Sequence, residues 1–241
     1  MASDHKVAGS SPAKRAHAGY TEDVKSEYLA WNHLTLLDPT TDSINTSYND
    51  GYLFTRVAKN HLIQTRSLRI DLQDFEFSSE NRRILNKSEF IELRVENLPM
   101  NEEEYHWKIH KMGYQFYSEK IGEESFSANM IRNICLDSDR SNFNNLFIYH
   151  IGDDSVGYAI TFNNGEFMHY AYPFYDFKRF PDIGMALMTK AVSWAHGKGK
   201  RYVYLGSVTR ATDRYKLQFN NLKWFDGAKW NTDLGELKSL L

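Results

Sequence analysis

The side chains best suited to chemistry crowd into one stretch, Arg201 to Trp230, RYVYLGSVTRATDRYKLQFNNLKWFDGAKW. Tyr202-Val203-Tyr204-Leu205 is β-branched and aromatic, which reads as a buried strand, and Gly206 ends it. Tyr215, Lys216 and Phe219 then recur at helical spacing, and Lys223-Trp224-Phe225 before Asp226-Gly227 reads as a short strand closing in a tight turn. An ordinary core does not require hydroxyls and an ammonium at this point, so a polar site is expected where the strand ends. A second group of candidates is cationic. Arg56, Lys59, Arg66 and Arg69 follow one another with no acid between them, and Arg82, Arg83 and Lys87 come soon after. Such a run suits either solvated faces of strand and helix or a surface that contacts phosphate. His169 is a base by type, flanked by Met168 and Tyr170. The nine histidines show no HExxH or comparable ligand spacing, so no metal is assigned.

These groups need a scaffold, and the chain is long enough to build one. Its 241 residues, 41% apolar and 15% aromatic, fill a sizeable core in one large domain or two small ones. A net charge of −2 does not suit a protein that coats nucleic acid, where affinity follows the number of clustered Lys and Arg. The N-terminus MASDHKVAGSSPAKRAHAG has no apolar stretch of signal-peptide type, and no run reaches the roughly 18 to 20 apolar residues of a membrane span. A soluble, cytoplasmic protein without a membrane partner is expected. One cysteine, Cys135, excludes an internal disulfide framework and a cysteine-cluster metal site, and reads as a small buried hydrophobe.

Along the chain, residues 1–22 lack periodicity and read as a disordered tail, followed by an N-terminal subdomain over 23–98. In that subdomain the pattern predicts a helix or extended segment from Tyr28 to Leu37, strands at Tyr52 to Val57 and Leu68 to Leu72, and a helix capped by Ser78-Ser79. The second unit, 99–241, opens with two helices between Pro99 and Asp137. A β-meander follows, Leu146 to Ile151, Val156 to Phe162 and Glu166 to Phe174, with Gly152-Asp153 and Asn163-Asn164-Gly165 as its turns. Ile183, Leu187, Ala191 and Trp194 repeat as a helix before the strand at Arg201 to Leu205. A strand, helix, strand crossover from Phe174 to Tyr202 would be parallel and right-handed, with a ligand cleft at the carboxyl ends of the two strands.

The pattern Tyr-Val-Tyr-Leu-Gly at 202–206, Tyr215-Lys216, Trp224-Phe225-Asp226-Gly227 and Trp230 resembles the C-terminal part of the arginyl- and leucyl-tRNA-protein transferases. The likeness extends upstream through Gly51-Tyr52-Leu53-Phe54-Thr55-Arg56, Arg69-Ile70, Phe75, Ser78-Ser79, Asn81-Arg82-Arg83-Ile84-Leu85 and Phe174-Tyr175-Asp176, and so covers about residues 48–230. It implies an α+β fold of GNAT type: a mixed, mostly antiparallel sheet with flanking helices, whose N-terminal half is open to reading as a smaller diverged copy. The family's cysteine-rich element is absent, replaced by Gln64-Thr65-Arg66-Ser67, so metal or iron–sulfur regulation does not carry over. Ser207-Val208-Thr209 lack the bulky aromatic expected there, which leaves the transferred amino acid open.

The resemblance implies an aminoacyltransferase of the N-degron type that needs no cofactor, takes aminoacyl-tRNA as co-substrate and passes arginine or leucine to the N-terminus of a protein or peptide. The amine attacks the ester carbonyl directly. Because an α-amino group has a pKa of about 7.7 to 8, a weak base and good orientation suffice. Asp176 is the leading carboxylate to orient that amine, with Glu166 second; Tyr204 and Tyr215 are candidates to protonate the leaving ribose oxygen. Arg56, Arg69, Arg82, Arg83, Tyr170, Tyr172, Arg179, Gly206 and Lys216 are the expected substrate and tRNA contacts. Ordinary GNAT enzymes bind coenzyme A pyrophosphate on glycine amides that open a helix. Here Arg179 and Gly184 fit that loop, but Asp182 takes a glycine's place and Pro181 removes an amide donor. A carboxylate at 4 Å from a phosphate costs about 4 kcal/mol at an effective dielectric near 20. An acyl-CoA-dependent N-acyltransferase and a silent protein- or tRNA-binding module remain the competing readings.

Overall fold

The computed structural model describes residues 29–123 and 125–241; the expected tail at 1–22 lies outside the described residues, as does Tyr28. In chain order the elements are β1 (Asn32–Thr35), α1 (Thr41–Asn49), β2 (Tyr52–Phe54), β3 (His61–Gln64), β4 (Ser67–Asp71), α2 (Ser79–Lys87) and β5 (Glu92–Asn97). Then come α3 (Lys108–Lys120), α4 (Ala128–Leu136), β6 (Asn145–Ile151), β7 (Asp154–Asn163), β8 (Phe167–Tyr175), α5 (Gly184–Gly197) and β9 (Tyr202–Ser207). A 3-10 segment (Ala211–Gln218), β10 (Leu222–Phe225), β11 (Trp230–Asn231) and α6 (Leu234–Ser239) complete the chain.

Eight strands form one mixed sheet in the order β11-β10-β4-β9-β8-β7-β6-β5, and β1-β3-β2 form a small antiparallel sheet beside it. Every neighbouring pair of the large sheet is antiparallel except β8 and β9, which are joined through α5 and run parallel. Three antiparallel strands, a helix and a parallel strand is the order expected of a GNAT core. Strands from both sides of residue 98 share this sheet, because β4 slots between β9 and β10 and β5 forms the far edge.

Alternation along the strands builds two cores. Leu68, Ile70, Met168, Val203 and Leu205 face α5 and pack with its Leu187, Ala191 and Val192. Leu146, Ile160, Phe167 and Tyr204 face the other way, onto Tyr48 of α1, Ile109 of α3 and Ile131 of α4. Each fully buried large apolar side chain stabilises the fold by about 1.5–3 kcal/mol. Cys135 is buried in the second core, and burial pushes its thiol up to about 12.

Local chemistry fixes the ends. Ser78 caps α2 with its side chain on the Asn81 amide while Asn81 reaches back to the Ser78 amide, a reciprocal capping box. Three strands are not evident from periodicity. In β5 the apolar Leu93 and Val95 alternate with Glu92, Arg94 and Glu96, the charged pattern that blunts a sheet edge. β3 is short and β11 spans Trp230–Asn231 alone, whereas β1 falls within the Tyr28 to Leu37 segment expected to be helical or extended and is its extended form. A bulge in β8 matters more: Ile160 faces Tyr172 and Thr161 faces Tyr170, so Ala171 is an extra residue. It sends Tyr170 into the α5-side core and Tyr172 to the opposite core, although simple alternation puts both on one face.

Candidate functional site

β8 and β9 pair at Phe167 with Tyr202, Met168 with Val203 and His169 with Tyr204, and there the ladder stops. Past this point β8 stays with β7 as far as Tyr175, while β9 runs on against β4 to Ser207. The two strands therefore diverge, leaving a wedge at their carboxyl ends, where open α/β sheets bind ligands. The sequence accounts for the split. Pro173 has no N–H to lend to a ladder with β9, and its carbonyl instead accepts a hydrogen bond from the Tyr117 hydroxyl of α3 at 3.1 Å. On the other strand Gly206 adopts φ = 80°, and a methyl built there meets nothing within 4 Å. That conformation suits glycine, and the space above it is open.

The 3-10 segment closes one side of the wedge through an ionic clasp. Lys216 donates from Nζ to the Ser207 carbonyl at 2.7 Å and pairs with Asp213 Oδ1 at 3.3 Å. Asp213, 5% exposed, also accepts the Thr209 and Arg210 amides at 3.1 and 3.0 Å. Burial works against the Asp213 carboxylate, but Lys216 and those two amides outweigh it and hold its pKa below the usual value. Burial lowers the Lys216 ammonium, and Asp213 opposes that shift. Together they tie the diverging end of β9 to the segment that carries Tyr215, which is 41% exposed.

At the vertex sits His169, 3% exposed, whose Nδ1 lies 2.9 Å from the Tyr48 hydroxyl. That hydroxyl accepts the Phe54 amide at 3.2 Å, which leaves its own proton for His169. Burial first, and the nearby Lys216 charge second, lower the His169 pKa to about 3, so the imidazole is neutral near pH 7. The residue type marks it as a candidate, but neither its burial nor Tyr48 as its partner is readable from the local sequence. Asp213 is a different case: its spacing three residues before Lys216 is a local signal that could have marked the pair, and only its burial is hidden from the local sequence.

The structure distributes the expected residues unevenly. Gly206, Lys216 and Tyr215 meet at the wedge. Tyr172 borders it, with the Arg56 guanidinium 5.3 Å above its ring and 4.8 Å from that of Phe126, donating to the Ser125 carbonyl at 2.6 Å. Tyr170 is buried on the α5 side, its hydroxyl beside that of Tyr149 and away from the wedge. Tyr204 is 1% exposed, and its hydroxyl accepts from Arg69 at 3.2 Å. Arg69 is itself enclosed, 3.9 Å from the ring centre of Trp230 and 4.2 Å from that of Tyr202, with Asn49 accepting at 2.9 Å. Both belong to a packed aromatic cage. Asp176 follows β8 at the mouth of the wedge and accepts the Arg179 amide at 3.2 Å. Glu166 precedes β8, so the two acids stand roughly 30 Å apart at about 3.3 Å per residue and cannot serve one reacting atom. Arg179 pairs with Asp154 at 3.1 Å on the surface. Arg82 donates to the Phe77 carbonyl and Arg83 pairs with Glu80, both on α2 and linked by these bonds only to their own neighbourhood.

The start of α5 has no side-chain cap. Tyr175 covers it: a methyl at Gly184 would lie 2.9 Å from the Tyr175 hydroxyl oxygen. Burial raises the Tyr175 pKa, and the Asp182 carboxylate adds to the rise. An anion approaching these amides meets a phenol ring and a negative charge. Among the described residues no three His, Cys, Asp or Glu gather as a metal site, and no helix is long and apolar enough to cross a membrane.

No protein-family model matches this chain, and no curated protein matches it. Solved structures do. L-PGS from Bacillus licheniformis is 14% identical, with 83% of this chain and 68% of that one covered at a TM-score of 0.47. A GCN5-related glucosamine N-acetyltransferase region of a fungal multi-domain GH3 beta-N-acetylglucosaminidase is 12% identical, with 82% and 23% covered at a TM-score of 0.46. FemX is 11% identical, with 83% and 65% covered at a TM-score of 0.43.

Proposed function

We propose that this protein transfers an amino acid, arginine or leucine, from aminoacyl-tRNA to the N-terminal amine of a protein or peptide. The observation that carries this reading is a wedge open between β8 and β9 beside a helix start unfit for a coenzyme A pyrophosphate. An acyl group enters there without its carrier's diphosphate having to rest on α5. The incoming amine attacks the ester carbonyl, so that a C–N bond forms and the C–O bond to the ribose breaks. The amine loses a proton and the ribose oxygen gains one. In this reading Tyr215, which is exposed, supplies that proton, and Asp176 orients the amine. Gly206 lets the acyl group approach the β9 backbone closely.

Radiolabelled aminoacyl-tRNA and radiolabelled acetyl-CoA, each offered with peptides beginning in Asp, Glu, Lys or Arg, test the reading. Label is expected in peptide from the RNA donor alone. Label from acetyl-CoA, or RNA binding with no transfer, contradicts it. Asp176→Asn keeps an oxygen for the Arg179 amide and removes only the charge, so folding is expected to survive. Turnover is expected to fall by about 100-fold, the lower range for a group that handles a proton or an amine. Unchanged turnover would remove Asp176 from the chemistry.

A further inference from the structure

Outside the wedge, the molecule carries a groove of about 400 Å3 between the β2–β3 loop, the start of α4 and the turn after it. Arg56, Lys59, Asn129, Asn133 and Arg140 line it, with Asp139 as its one acid. Lys59 braces the wall by donating to the Ser138 carbonyl and, at 2.9 Å, to that of Ser141. Arg140 is exposed, paired at 3.1 Å with Asp137. Three cations, of which Arg140 is also paired with Asp137, stand against the one lining carboxylate, and with two amide side chains they make a wall rich in donors. Such a wall suits phosphate oxygens more than an uncharged or acceptor-poor ligand. Arg56 belongs to this groove and also lies over Tyr172 of β8, so one side chain links the groove wall to the strand that borders the wedge.

The geometry points to the groove as the track for the phosphodiester backbone of the RNA donor's acceptor strand, with Arg56 marking where the strand hands its aminoacylated end to the wedge. This rests on the aminoacyl-tRNA reading above and adds a place and a polarity to it. A 3′ end whose ester lies in the wedge has its phosphates immediately behind, and the cationic wall adjoining Tyr172 receives them. The acceptor peptide then enters from the other side of the wedge, by Asp176 and Tyr215.

The test compares two donors of the same amino acid, an aminoacylated minihelix and an aminoacyl-adenosine that lacks the strand. Arg140→Glu is expected to raise KM for the minihelix about tenfold and to flatten the salt dependence of its binding by about one unit of slope. The KM for aminoacyl-adenosine and for the peptide is expected to stay unchanged. Asn129→Asp, exposed on α4, is expected to shift the minihelix KM in the same direction. Equal minihelix kinetics in wild type and both variants overturns the groove assignment while leaving the transfer reading intact. A change in peptide KM alone overturns it too, by giving the groove to the acceptor. Absence of transfer from either donor in the wild-type protein overturns the underlying reading and the groove with it.

Discussion

Lys216→Met is expected to lower the unfolding free energy by about 3 kcal/mol, and Asp213→Asn added to it is expected to restore most of the loss. Methionine keeps the length of the side chain but withdraws the ammonium from Asp213, which is 5% exposed. Removing one partner of a buried ion pair typically costs about 3–5 kcal/mol, because the remaining charge is left in a poor solvent. The Thr209 and Arg210 amides and, at 3.7 Å, the Arg210 guanidinium still reach Asp213, which places the expectation at the lower end. The Ser207 carbonyl also loses its Lys216 donor, so the diverging end of β9 loosens along with the charge imbalance. Urea unfolding of both single variants and the double variant gives the coupling energy. Additive losses, with no rescue in the double variant, contradict the clasp.

Acid is expected to destabilise the protein through His169 well before ordinary carboxylates titrate. Burial, with the Lys216 charge nearby, holds its folded pKa at about 3 against the ordinary 6.5 of an exposed imidazole, so between these values the unfolded chain binds the proton and the folded one does not. The stability tied to the neutral ring is whole above pH 6.5 and is lost as pH falls toward 3. At about 1.4 kcal/mol per unit, the loss reaches about 2 kcal/mol at pH 5 and about 4 kcal/mol at pH 3, where the folded ring is half protonated. Replacement by Asn offers the Tyr48 hydroxyl an acceptor that does not titrate. Unfolding measured at pH 7 and pH 5 is expected to differ by about 2 kcal/mol less in His169→Asn than in the wild type. An equal pH dependence in both proteins refutes the assignment.

How far the sequence discloses the molecule depends on the range of the interaction concerned. The meander, its Gly-Asp and Asn-Asn-Gly turns, the Ser78 cap and α5 follow from local rules and stand where those rules put them. The parallel junction of β8 with β9 is legible too, because a helix between two strands leaves few alternatives. β4 is different: its place between β9 and β10 depends on pairing segments far apart in sequence, as in Arg69 opposite Tyr204 and Lys223. Periodicity carries no such information.

The site divides along the same line. Gly206, Tyr215 and Lys216 are neighbours in sequence and meet at one rim of the wedge. Tyr170 and Tyr172 look equivalent by alternation, yet the extra residue at Ala171 parts them. Tyr204 reads as a candidate acid and Arg69 as a candidate substrate contact, yet Arg69 donates to the Tyr204 hydroxyl inside a packed cage. His169 carries real functional potential by type, but its burial and its Tyr48 bond depend on α1, more than a hundred residues upstream.

The central claim is that the gap between β8 and β9 holds the aminoacyl end of an RNA donor. It is tested most directly by a crystal structure with a non-hydrolysable aminoacyl-adenosine, in which an amide replaces the ester. The account predicts the acyl group beside Leu205 and Gly206, just past the last paired residues His169 and Tyr204, with the adenosine directed toward Arg56. Coenzyme A bound against the turn before Ile183 in a parallel soak, with the aminoacyl analogue absent from the wedge, would contradict it.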